Sequence, residues 1–163
     1  MRLSYLNHLE NELLAALAQH GVTFAVVGSH AVLCYTPPER PDGSVRTLGD
    51  LDVLVSPDAN NLKKVSRALS HLHIDLSPNQ LHDMFTARKL PNLTISRAQL
   101  FPEIAGVQTD DVISHSVLAE SSIGLLPVIS LPHLLLAKRA AARPKDLEDV
   151  LVLESLLSGP SAA

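Results

Sequence analysis

Two short runs, TFAVVG (23–28) and DLDVLVS (50–56), are apolar almost throughout and rich in β-branched residues. A strand that fails to alternate apolar with polar residues is buried on both faces. Each run is too short to be a helix of ordinary length, so both read as buried strands. Helices must supply their cover, which points to a mixed α/β fold. Apolar residues make up 46% of the chain and charged residues 18%, so a sizeable core is available. Aromatics are only 3% and Trp is absent, so that core is aliphatic.

Helical spacing of Leu3, Leu6, Leu9, Leu13, Leu14 and Leu17 predicts an amphipathic helix over 3–19, ended by Gly21. SHAVLCY, after Gly28, is a short helix. TPPERPDGSVRTLG (36–49) holds three prolines and two glycines and reads as loop. A helix over 58–72 follows, with Ser56 as cap and Pro57 in its first turn. The middle is less regular: TIS (94–96) reads as a strand, and IAGVQ with DDVISHSVLAE as a strand pair or a helix edge. LPVIS (126–130) is a strand, and helices span 131–142 and 144–157. Pro144 forces the break between them and suits the first turn of the second. The expected architecture is one α/β (α+β) domain over residues 1–157, a small mixed sheet flanked by helices. It closes with a C-terminal helix pair, and residues 158–163 form a flexible tail.

Composition excludes several classes. The net charge is −4, so no strongly basic field gathers a polyanion, although KRAAARPK (138–145) is a local basic patch. Few aromatics argue against a stacking platform for single-stranded nucleic acid. Cys34 is the single cysteine, so no intrachain disulfide forms, and one cysteine with eight scattered histidines does not make a structural zinc site. MRLSYLNHLENELLAAL carries two acids and no long apolar run, so a signal peptide is not expected. No apolar run reaches the roughly 18 residues of a membrane span. A cytoplasmic protein with no membrane partner is expected.

Three motifs carry chemistry. The first is VVGSHAVLCY, with Gly28-Ser29 at a strand-to-helix corner. A helix N-terminus presents unpaired N–H groups and a partial positive charge; glycine lets a phosphate approach, and serine adds a donor. On its own such a corner also reads as a tight turn with a serine cap. The second is Asp50-Leu51-Asp52. Residues i and i+2 of a strand point to one side, so both carboxylates face one place and repel unless a cation sits between them. Mg²⁺ suits such a pair, although a solvated strand end reads the same way. The third is Lys138 with Arg139, Arg143, Lys145 and Asp146. Lys and Arg near a helix C-terminus, and acids in the next first turn, also arise without any ligand. His30, next to Ser29, reads as a packing residue.

Taken together, VVGSHAVLCY, VRTLGDLDVLVSPD and LPVISLPHLLLAKRAAARPKDLEDVLVLE resemble the nucleotidyltransferase superfamily of polymerase β-like fold. The branch is the small bacterial one that includes AbiEii-type toxins. The resemblance covers about residues 20 to 155. It implies a nucleotidyltransferase-like fold and metal-dependent transfer of a nucleotidyl group from an NTP. Gly28 and Ser29 would contact phosphates, with Arg46, Thr47 and Asp146 also binding nucleotide. Asp50 and Asp52 would ligate Mg²⁺ or Mn²⁺, and Lys138 would neutralise phosphate charge in the cleft, so Asp50, Asp52 and Lys138 are the expected catalytic residues. The acceptor is left open among tRNA, a protein hydroxyl and a small molecule, and an antitoxin partner is implied for a toxin-like enzyme.

The chain departs from this pattern in two places. The third carboxylate of the family belongs on a strand within NLTISRAQLF (92–101), which has no Asp or Glu; Glu103, Asp110 and Asp111 are the nearest acids. The loop 36–49 is also long and rich in proline. Two other readings stay open: a catalytically weakened relative that binds nucleotide, and a partner-binding module in which the cleft is only an interface.

Overall fold

A computed structural model of the protein describes residues 1–87 and 93–159. Among them are seven helices and one six-stranded mixed sheet. In chain order the elements are α1 (His8–Gln19), β1 (Phe24–Val27), α2 (Gly28–Tyr35), β2 (Leu51–Val55), α3 (Ala59–His71), α4 (Pro78–Thr86), β3 (Leu93–Ile95), β4 (Ala98–Phe101), α5 (Thr109–Ser114), β5 (Val117–Ser121), β6 (Gly124–Val128), α6 (Leu131–Ala141) and α7 (Pro144–Ser158). The expected α/β class with its closing helix pair is what the chain adopts.

The strands lie in the order β3-β4-β2-β1-β6-β5. The apolar runs β1 and β2 are at the centre, where both faces are covered: all four residues of β1 and four of the five in β2 are buried. The exception in β2 is Asp52. β1 and β2 are antiparallel, with Val27 opposite Asp52. β4 runs parallel to β2, with Gln99 beside Asp52. β6 runs parallel to β1, so α6 leaves the sheet at the end where α2 begins. This topology gathers the end of β1 and the starts of β2 and β4 at one edge.

Several local choices explain the boundaries. α1 starts at His8, later than the leucine spacing predicts. Asn7 caps it: its Oδ1 accepts from the Glu10 backbone N–H at 2.9 Å, and the Glu10 carboxylate accepts from the Asn7 N–H at 2.9 Å. Leu3 is buried, but its N–H donates to the Glu120 carbonyl at the sheet edge, at 2.8 Å. Gly21 does follow the helix end, at φ +67°. Asp58, not Ser56, caps α3, accepting from the Asn61 N–H at 2.8 Å. The Ser56 hydroxyl is spent on Asp58 itself, at 2.9 Å.

The TIS strand is β3, and it turns at Ser96-Arg97 into β4. DDVISHSVLAE divides into α5 and β5. α4 was not among the expected elements; Ser77, Pro78 and Gln80 build its capping box. α7 extends through Ser158, the first residue assigned to the tail, and residues 160–163 lie outside the described residues. No helix among the described residues is long and apolar enough to cross a membrane.

Asn61 is 2% exposed and staples the central strands. Its Oδ1 accepts from the Thr23 N–H at 2.7 Å, and its Nδ2 donates to the carbonyls of Thr23 at 3.0 Å and Ser56 at 2.7 Å. Each buried group left unpaired costs about 1–3 kcal/mol. Asn61→Ala is therefore expected to lower stability in urea denaturation by about 3 kcal/mol, whereas Asn60→Ala, on the exposed side, changes it by less than about 0.5 kcal/mol.

Candidate active site

Gly28 ends β1 and opens α2 at φ +67°, a conformation that favours glycine. A Cβ there would collide with the Asp52 carboxylate and lie 3.1 Å from the Asp52 Cβ. Glycine is thus required twice, by the backbone and by the neighbouring side chain. The antiparallel register sets this contact, because Val27 is the partner of Asp52. Val27 occupies the cap position of α2 and gives no side-chain hydrogen bond to the first turn. Ser29 is inside the helix, so it does not act as the serine cap of a tight turn. Ser29 is half-buried, and a Cβ on Gly49 would lie 3.9 Å from its hydroxyl.

Asp52 projects into a cleft of about 770 Å³. Lys138, Asp146 and Arg143 line the same cleft from α6 and the start of α7. Lys138 is 8% exposed and Asp146 fully buried. The Lys138 ammonium lies 3.0 Å from Asp146 Oδ1 and 3.1 Å from Asp149 Oδ2. Arg143 reaches Asp146 through Nε at 2.6 Å and Nη2 at 3.2 Å. Arg46 pairs with the other oxygen of Asp149. Among the described residues three cations, Lys138, Arg143 and Arg46, meet two carboxylates, Asp146 and Asp149, and the charges of Lys138, Lys145 and Arg143 act on Asp52. An ammonium has three donors; Lys138 gives one to Asp146 and lies in ion-pair contact with Asp149 at the wall of the cleft.

Burial pushes the Asp52 carboxyl up to about 6, and Asp50 pushes the same way, against Lys138, Lys145 and Arg143. Burial also works against the Asp146 carboxylate, but hydrogen bonds from Arg143 and Lys138 outweigh it and hold its pKa below the usual value. The two acids thus have opposite tasks. Asp146 is committed to protein cations, whereas Asp52 is a partly desolvated acceptor that forms no hydrogen bond or ion pair among the described residues.

Of the eight residues singled out by sequence, four line the cleft: Gly28, Asp52, Lys138 and Asp146. Ser29 adjoins it on α2. Asp50 does not line the cleft; its side chain is 40% exposed, with Arg97 Nε 3.7 Å from one oxygen and Gln99 Nε2 donating to the other at 3.4 Å. Arg46 is turned away from the cleft onto Asp149, with a side chain only 7% exposed. Thr47 is exposed on the loop and does not line the cleft. Asp110 contacts Ser56 at the other end of β2, and Asp111 pairs with His115 and His133. Among the nearest acids only Glu103 joins the lining. Asp149, Gln99 and Phe101 were not singled out. Asp149 had a signal, lying one helical turn after Asp146; Gln99 and Phe101 had none, since their place depends on the pairing of β4 with β2.

Among the described residues, no group of three or more His, Cys, Asp or Glu side chains is placed to hold a metal ion. Asp50 lies near enough to Asp52 to raise its pKa, and carboxylate oxygens are the ligands a hard divalent cation takes. No protein-family model matches the chain, and no curated protein does.

An acid whose folded-state pKa is raised binds its proton more tightly in the fold. Its contribution to stability is therefore complete below the ordinary carboxylate range and is lost as pH rises through about 6. Urea denaturation without divalent ions at pH 4.5 and 8 is expected to show this loss in the wild type relative to Asp52→Asn. Lys138→Met leaves Asp146 and Asp149 short of a cation in a buried site, and is expected to lower stability by about 3–5 kcal/mol in the same assay.

Proposed function

We propose that the protein is a metal-dependent nucleotidyltransferase of the polymerase β-like superfamily, related to the small bacterial AbiEii-type branch. One observation carries this reading: a glycine-opened helix N-terminus, Asp52 and Lys138 converge on one cleft from three distant parts of the chain. Such a cleft suits a ligand that bears several negative charges and brings a divalent cation.

In this reading the NTP enters with its phosphates between α2 and Lys138. The N–H groups at the start of α2 donate to phosphate oxygens, and Gly28 leaves room for that approach. Asp52, with Asp50 nearby, would hold Mg²⁺ or Mn²⁺, which would supply charge neutralisation and alignment of the phosphates. Lys138 offers its remaining N–H to the negative charge that develops on the departing pyrophosphate. Asp146 and Asp149 orient that ammonium, and Arg143 holds Asp146 in place. An acceptor hydroxyl oxygen attacks the α-phosphorus, the bond to the pyrophosphate oxygen breaks, and the hydroxyl proton passes to solvent. Arg46 acts through Asp149 and does not touch nucleotide. The acceptor class, whether tRNA, protein hydroxyl or small molecule, and an antitoxin partner stay unassigned.

A cytoplasmic setting goes with this chemistry, since NTPs are plentiful there. The half-buried Cys34 thiol, pushed up to about 11 by burial, is a poor nucleophile and suits a free cysteine. A second reading, a relative that binds nucleotide without transferring it, draws on Gln99, which places an amide where the family pattern asks for an acid.

Calorimetric titration with each of the four NTPs in Mg²⁺ is expected to show binding of at least one. That binding should fall by about 100-fold or more in Asp52→Ala and vanish with EDTA. No heat with any NTP would overturn the proposal. Pyrophosphate release over a panel of acceptors then separates transfer from binding alone.

A further inference from the structure

A second groove, of about 410 Å³, runs between α1, the end of α3 and the β3–β4 turn. It shares no lining residue with the cleft that holds Asp52. Its volume is that of a small-molecule site. Buried Leu13 and half-buried Leu72, Ile74 and Ile95 give it an apolar surface. Glu10 adds a carboxylate to that lining, although the residue is only 6% exposed. Its Oε2 accepts from the Asn7 N–H at 2.9 Å, and its Oε1 accepts no hydrogen bond among the described residues. The one basic side chain within ion-pair distance of it, among the described residues, is His30, with Nε2 4.0 Å from Oε2. His30 is 2% exposed, and burial lowers its pKa against the opposing pull of Glu10, so the ring favours its neutral form. Its Nδ1 has no hydrogen-bond partner among the described residues. Arg97 is the one lysine or arginine of the lining, and its Nε lies 3.7 Å from Asp50.

A buried carboxylate calls for a cation or for several hydrogen bonds. The first turn of α1 meets part of that need through the Asn7 N–H and the helix dipole. The remaining oxygen belongs to a residue that lines an apolar groove. We propose that this groove binds a small molecule carrying a primary ammonium group on an aliphatic chain, with the ammonium on Glu10 Oε1 and the chain along Leu13, Leu72, Ile74 and Ile95. Charge selects the head group: the neutral His30 gives Glu10 no counter-charge, and Glu12, exposed in the same lining, adds a second negative charge. An alcohol of the same shape would leave the carboxylate without a cation, and a carboxylic acid would be repelled. The site lies outside the Asp52 cleft, so the proposal does not depend on the nucleotidyltransferase reading.

The test follows backbone amide NMR shifts of the whole chain on titration with n-hexylammonium chloride, and separately with n-hexanol. Saturable shifts are expected in α1 and at Ser96–Ala98, with the alcohol binding there about 10-fold or more weakly than the amine. Glu10→Gln keeps an acceptor for the Asn7 N–H. It should weaken the amine by about 10-fold or more and leave the alcohol unchanged. If Glu10→Gln fails to fold, Ala15→Leu is read instead. Ala15 is half-buried in the lining, so a larger side chain there fills the groove and should abolish the shifts. Equal binding of alcohol and amine, amine binding that survives the substitution, shifts confined to the Asp52 cleft, or no saturable shift would each overturn the proposal. All four leave the nucleotidyltransferase reading standing.

Discussion

Asp52 occupies space that any side chain on residue 28 would need. That contact follows from the antiparallel pairing of β1 with β2, and much of the edge is built around it. Pairing Val27 with Asp52 puts the only incompletely buried residue of β2 against the start of α2. The surroundings are apolar enough to push its pKa up to about 6. An acid held this way favours a neighbouring cation more than a solvated acid does, because burying an ionised carboxylate is costly. The corner therefore combines glycine freedom, a helix start without a side-chain cap and a carboxylate that has no partner among the described residues.

The second organising element is the buried charge cluster of Arg46, Lys138, Asp146 and Asp149, to which the exposed Arg143 adds a contact on Asp146. It binds α6 to α7 and fastens the proline-rich loop to α7 through Arg46; Arg40 and Glu148 add an exposed pair. That loop runs directly into Asp50 and β2. The Lys138 ammonium and the Asp-x-Asp strand are thus parts of one connected assembly, although they lie far apart in sequence. Buried ion pairs of this kind give modest net stability, since desolvation offsets attraction. What they supply is position: each cation has one place to be.

Much of this was legible in the sequence, for identifiable reasons. β1 and β2 announced themselves because central strands have no solvent face and so no polar alternation. Pro144 marked the α6–α7 break, since it removes a donor and fits a first turn. Gly28, Asp52, Lys138 and Asp146, which line one cleft, were singled out on short local patterns joined by the family resemblance. Other features hinge on choices between neighbours. Ser56 and Asp58 are both good caps, and only packing decides that Asp58 takes the role. Leu3 kept the helical spacing, yet the sheet edge claims its backbone. Gln99 beside Asp52, and Arg46 on Asp149, come from pairing across tens of residues, which local spacing does not encode.

The most direct test is a crystal structure of the protein with Mg²⁺ and a non-hydrolysable NTP that binds in solution. The expected result is a triphosphate against the start of α2, within hydrogen-bonding reach of Lys138, with a cation bound by Asp52. A nucleotide bound elsewhere on the surface, with the cleft between Gly28 and Lys138 left to solvent, would contradict the proposed role of the site.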